Sequence, residues 1–186
     1  MKVVNDRLRR LVAAVLTALI AGPAFAHGDA PTEDVDAAID AARRATAKYQ
    51  DVKVATEDQF LPNFGCVDQP GQGGMGIHYI NGTRVGDPKI DALEPEILVY
   101  EPDKRGRLQL VALEYLVMRD SWDAAHPQPP MLFGHPFHLV RSPNRYGLPD
   151  FYELHLWAWK KNKNGIFSDW NPAVQCHSEA SASVAR

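Results

Sequence analysis

Three ionisable residues stand inside apolar runs: His78 within Ile77–Ile80, Glu114 within Leu108–Met118, and His155 between Leu154 and Leu156. Successive side chains of an extended segment point to opposite faces. In the long run, Val111, Leu113, Tyr115 and Val117 therefore share one face, and Ala112, Glu114, Leu116 and Met118 share the other. Both faces are apolar enough to be covered, so Glu114 is expected among buried neighbours. A buried carboxylate is costly unless it is paired, hydrogen-bonded or bound to a cation. His155 poses the same problem, on a face it shares with Glu153, Trp157 and Trp159. Two histidines and one carboxylate form a facial donor set with open positions, suited to zinc, copper, iron or manganese. Such an ion polarises a substrate oxygen or lowers the pKa of a bound water. His78, Glu114 and His155 are the candidate ligands, with Glu96, Glu101 and His138 as candidates for an additional position. The competing reading is a structural or interaction module in which the same groups form a neutral hydrogen-bonded network that fixes strand register.

Other chemistries find less support. Cleavage after Ala26 would leave His27 as the new first residue, whose amine and imidazole can chelate Cu(II). Trp157, Trp159, Phe151, Tyr152 and Trp170 are aromatic enough to line a pocket for a small-molecule ligand, although such residues more commonly build a core. Ser121, Ser142 and Ser168 lie outside any G-x-S-x-G setting. Glu114 and Glu153 could act as an acid–base pair, but no spacing supports it. His126, His135 and His138 lie in or beside a loop containing Pro127, Pro129, Pro130 and Pro136, where surface exposure is the default. The glycine-rich stretch Gly71–Gly76 precedes a strand-like segment rather than a helix, which argues against a phosphate-binding loop.

The elements that must position these residues begin after a leader. Lys2, Arg7, Arg9 and Arg10 precede an apolar run, Leu11–Ala21, and then Ala24-Phe-Ala26. These are the parts of a secretory signal peptide, residues 1–26, and the apolar run is too short to span a bilayer. Removing those four basic residues and Asp6 takes the totals of 20 basic and 23 acidic residues to 16 and 22, a balance of −6. A mildly acidic domain with no basic block argues against nucleic acid as a partner. The expectation is a bacterial protein of the periplasm or the medium, with no membrane span after cleavage. Its two cysteines, Cys66 and Cys176, then read first as a disulfide.

Residues 27–176 read as a single α+β domain, and 177–186 as a disordered tail. Val35, Ala38, Ile39, Ala42, Thr46, Tyr49 and Val52 follow helical spacing, which predicts an amphipathic helix from about Glu33 to Thr56. Strand signals cover 77–80, 96–101, 108–118, 137–140 and 151–159. The predicted architecture packs the N-terminal helix on a curved, mainly antiparallel sheet, a geometry that extends to a half-open barrel.

The strings Gly74-Met-Gly-Ile-His-Tyr-Ile-Asn81, Leu93-Glu-Pro-Glu-Ile-Leu-Val-Tyr-Glu101, Leu154-His-Leu-Trp-Ala-Trp159 and Trp170-Asn-Pro-Ala-Val-Gln-Cys176 occur together, with Leu113-Glu-Tyr115 and Leu132-Phe-Gly134 between them. The combination resembles a family of uncharacterised exported bacterial proteins of similar length. The resemblance spans about Cys66 to Cys176. Asn162-Lys-Asn164 departs from the Asn-Pro expected in that turn. The resemblance implies the domain limits and carries no activity.

Overall fold

The computed structural model describes residues 32–63 and 65–176. The predicted signal peptide, His27 and the predicted tail lie outside the described residues. The expected helix forms in three pieces: α1 (Thr32–Thr46), a 3₁₀ turn (Ala47–Gln50) and α2 (Val52–Glu57). The break is at Asp51, whose backbone is extended and whose side chain accepts the Lys53 N–H at 3.0 Å. A short polar side chain that can bond its own backbone favours such a cap over the helix interior. Ile39, Ala42, Tyr49 and Ala55 face inward. The Tyr49 carbonyl accepts the buried Tyr100 hydroxyl at 2.6 Å, which satisfies a carbonyl at the end of the 3₁₀ turn.

The sheet contains β1 (Phe60–Pro62), β2 (Val67–Gln69), β3 (Gly73–Asn81), β4 (Ile97–Pro102), β5 (Leu108–Met118), β8 (His138–Val140) and β9 (Phe151–Leu156). A short helix α3 (Gly82–Val85) follows β3, another, α4 (Arg119–Asp123), follows β5, and β6 (Met131–Leu132) and β7 (His135–Pro136) form a small separate hairpin. The order is β1-β3-β4-β5-β9-β8, with β2 also on β3, and every pairing is antiparallel. The fold is therefore α+β. β1 and β8 are the two edges and do not meet, so among the described residues the sheet stays open rather than closing into a barrel.

One face carries Ile77, Tyr79, Leu98, Tyr100, Leu113, Tyr115, Leu154 and Leu156 against the helices. The other carries Ile97, Val99, Ala112, Leu116, Phe151 and Trp157. The C-terminal segment covers this second face. Asn171 exchanges backbone hydrogen bonds with Gly74 at 3.2 and 3.0 Å, Val174 packs among the apolar residues, and Cys176 is bonded to Cys66. The last strand is shorter than its aromatic run suggested. After Leu156 the Trp157 N–H turns to the Ile166 carbonyl, the Trp159 and Lys160 N–H groups share the Val111 carbonyl, and Trp159 is left 36% exposed.

Glycines let the C-terminal segment and β4 approach β3 this closely: a Cβ at Gly73 would meet the Asn171 main chain and one at Gly76 that of Tyr100. Gly76 has φ +118°, and a Cβ there would lie 2.6 Å from the Tyr100 carbonyl oxygen. Gly76→Ala is expected to lower stability by about 2–3 kcal/mol, since it combines backbone strain with a clash against main chain. A urea titration checks this, and a midpoint within error of wild type would contradict it.

Candidate functional site

Alternation and register together gather the polar groups on the second face. His78 lies opposite Val99, Glu114 lies opposite both Ile97 and His155, and Glu153 lies opposite both Leu116 and His138. His78, Glu114 and His155, the sequence candidates, are all essentially inaccessible to solvent. The His78 and His155 rings are thus on the same side of the sheet. His78 Nε2 approaches Glu114 Oε2 to 3.2 Å, but without the alignment of a hydrogen bond. The Gly76 backbone favours the protonated His78 ring, against the larger opposing effect of burial. Both ring nitrogens of His155 are without partners, and the ring leans on Trp157 at 4.8 Å between centroids.

A second group continues the row outward. His138 Nε2 lies 2.8 Å from Glu153 Oε1 and 3.8 Å from Asp169 Oδ2. One donor atom from each of the three residues falls within 4.8 Å of the others. His138 is exposed, Asp169 half-buried and Glu153 buried. Donors around one ion with bonds of about 2.0–2.2 Å stand roughly 3.0–3.5 Å apart, so small side-chain movements suffice to close this group on a cation. His138 comes from β8, Glu153 from β9, and Asp169 from the covering segment.

Burial dominates the electrostatics. It pushes the His78 pKa down to about 4 and that of His155 down to about 3, so both rings are neutral at pH 7 and can offer a lone pair. Burial pushes the Glu114 and Glu153 carboxyls up to about 7, and the two lie within hydrogen-bond reach of each other. Its hydrogen bond to Glu153 holds the His138 pKa above the ordinary value. Burial raises Asp169. Six buried side-chain atoms on this face have no hydrogen-bond partner among the described residues: both ring nitrogens of His78 and of His155, Glu114 Oε2 and Glu153 Oε2.

The remaining candidates go elsewhere. Glu101 is paired with Lys160 at 2.7 Å, and Glu96 Oε2 accepts the Leu116 N–H at 3.0 Å beside a cleft lined by Arg84 and Trp122. Neither joins the His78–Glu114 contact. Of the aromatic residues, Phe151 and Trp157 are core on the second face and Tyr152 is buried on the first, with its hydroxyl 3.1 Å from Asp123. His126 stacks on Trp122 and His135 on Phe167. Sequence reasoning placed Glu153 on the correct face without naming it as a ligand, and the two-residue spacing from His155 was the available signal. Asp169 had no signal, since it lies in a loop whose course is set by distant contacts.

Among the described residues, no helix is long and apolar enough to cross a membrane. The Cys66–Cys176 disulfide fits an oxidising compartment. No protein-family model, no curated protein and no solved structure matches the chain.

Proposed function

We propose that this is an exported metal-binding protein that holds a divalent transition-metal ion on the second sheet face. Exposed His138, half-buried Asp169 and buried Glu153 supply the grouped donors, and His78, Glu114 and His155 continue the row inward. The exported setting is supported by the signal-like leader, by the disulfide, and by the resemblance to exported bacterial proteins. The observation that carries the metal reading is the set of six unpartnered buried polar atoms lying in line with three donors already grouped. Buried polar groups in native proteins are nearly always satisfied, so this concentration on one face calls for a ligand. A proton shared by Glu114 and Glu153 satisfies carboxylate oxygens only and leaves four imidazole nitrogens as they are. Imidazole with carboxylates suits zinc, iron, manganese or copper, and the exposed His138 edge leaves room for water or a small oxygen ligand on the ion.

The untagged protein, stripped with a chelator and re-equilibrated with Zn(II), Mn(II), Fe(II) or Cu(II), is expected to retain stoichiometric metal. Its melting temperature is expected to rise by about 5–10 °C at a hundredfold excess over Kd. His138→Ala and Asp169→Asn, both at accessible positions, are expected to weaken binding at least tenfold with the fold retained. Mass-spectrometric metal analysis and thermal melts check this. If no metal is retained and the melting temperature does not move, the row is a structural hydrogen-bond network, and His155→Ala would then change stability alone.

A further inference from the structure

A cleft of about 510 Å³, none of whose lining residues belongs to the metal row, lies between the loop that follows α3 and the Trp122 side of α4. Its volume falls in the range of small-molecule sites, roughly 300–1,000 Å³. Glu96, only 2% exposed, lines its floor. Glu96 Oε2 accepts the Leu116 N–H at 3.0 Å, and its own backbone N–H is the other main-chain group that favours the carboxylate. Among the described residues no lysine or arginine is paired with it, whereas Glu101 has Lys160 at 2.7 Å. Arg84 also lines the cleft, but its guanidinium is engaged elsewhere. Nη1 donates to the Pro95 carbonyl at 2.9 Å, Nη2 lies 3.7 Å from Glu94, and the group sits 5.2 Å over the Phe60 ring.

We infer that this cleft binds a small organic cation, a primary ammonium with a flat apolar body, its nitrogen on the Glu96 carboxylate and its body along Trp122. Three arguments carry it, and none depends on the metal reading. The first is charge. Asp87, Asp91 and Glu94 line the cleft with Glu96, against Arg84 and Lys89, so the carboxylates outnumber the fixed cations by two. A buried carboxylate without a counter-charge is costly, and burial keeps a proton on Glu96 by pushing its pKa up to about 8. An ammonium supplies the missing charge in place of that proton, which leaves to solvent. The second is the wall. The Trp122 ring stacks on His126 at 3.8 Å and is fixed by its Nε1, which donates to the Gln128 carbonyl at 2.8 Å. An indole so held offers apolar area and attracts a cation beside it, and Ile90 continues the apolar lining. The third is spacing. Among the described residues only His138, Glu153 and Asp169 bring three donor atoms within 4.8 Å of one another. The acids of the cleft do not converge on a bare ion, and they suit a cation with a carbon body.

Calorimetric titration of the full metal-free chain with phenethylamine, with neutral 2-phenylethanol and with anionic phenylacetate tests the inference. The amine is expected to bind at least tenfold more tightly than either of the others at pH 8. Its affinity is expected to rise about tenfold per pH unit below the Glu96 pKa of about 8 and to level off above it, with proton release on binding. The other charged and titratable groups around Glu96 are Arg84 on α3, Asp87, Lys89, Asp91 and Glu94 on the loop to β4, Tyr115 on β5 and His126 after α4. Glu96→Gln keeps all of them, so it isolates the Glu96 contribution, and it is expected to abolish that pH dependence and weaken the amine at least tenfold. Asp91→Asn, at an exposed position on the rim, is expected to weaken the amine several-fold with the fold unaffected. Failure of the amine to bind at pH 8, equal or tighter binding of the alcohol or of phenylacetate, or unchanged affinity in Glu96→Gln overturns the inference.

Discussion

Cys66→Ser with Cys176→Ser is expected to lower the unfolding free energy by about 4–5 kcal/mol and the melting temperature by roughly 10–20 °C. The bond joins residues 110 apart, so it removes a large share of the loop-closure freedom of the unfolded chain. Its local effect is as instructive. The segment ending at Cys176 is held to β3 by few main-chain contacts: the Gly74–Asn171 bridge and the Gly74 N–H to the Val174 carbonyl. Without the cross-link this segment opens more readily than the sheet beneath it. Asp169 lies on it, so metal affinity is expected to fall in parallel. Urea titrations with and without reductant, together with hydrogen exchange across 166–176, test the prediction. An unchanged midpoint after complete reduction would show that the segment is held by packing alone.

Glu96→Gln is expected to reverse an alkaline loss of stability. Burial pushes the Glu96 pKa up to about 8 from an ordinary 4.5. The folded state therefore binds this proton more tightly than the unfolded state. The resulting stabilisation is complete below the unfolded pKa of 4.5 and is lost as pH rises through 8. Between pH 6 and pH 9 the wild-type protein is expected to lose about 3 kcal/mol relative to the glutamine variant, whose amide oxygen still accepts the Leu116 N–H and does not ionise. Because glutamine adds donors that need partners, its absolute stability at one pH is not diagnostic. The measurement is the pH dependence of the difference, taken from denaturant titrations on metal-free protein. A difference that stays flat across that range would mean that the carboxyl is solvated through the cleft it borders. Glu96 lies apart from the proposed ligands, so this test is independent of the metal reading.

The sequence by itself determined the elements and the facing of their side chains. Helical spacing from Val35 to Val52 and alternation from Ala112 to Met118 are local properties, set by the 3.6-residue and two-residue periods of the backbone, whereas a bulge opposite Val99 and Tyr100 moves Val111 off the Leu113 face to pack with Ala112 on the second face. They placed His78, Glu114 and His155 inside strands, and two cysteines in all permitted one intrachain pairing, which forms. Finer local features also had readable causes, such as the helix break at Asp51, where a capping side chain competes with helix continuation.

Only the tertiary structure decided which isolated polar residues meet. Strand order is a long-range property: β9 inserts beside β5 although β6, β7 and β8 intervene in the chain, and this insertion puts His155 and Glu153 on the Glu114 face. The loop that carries Asp169 follows a path set by Asn171 on Gly74 and by the disulfide, and its own residues do not reveal it. Glu96 and Glu101 resemble Glu114 in the sequence, yet one is stabilised by a backbone N–H and the other by Lys160. A donor set is a statement about distances between remote segments. Periodicity fixes the direction of a side chain from its own backbone, whereas convergence depends on packing between elements, which no local pattern encodes.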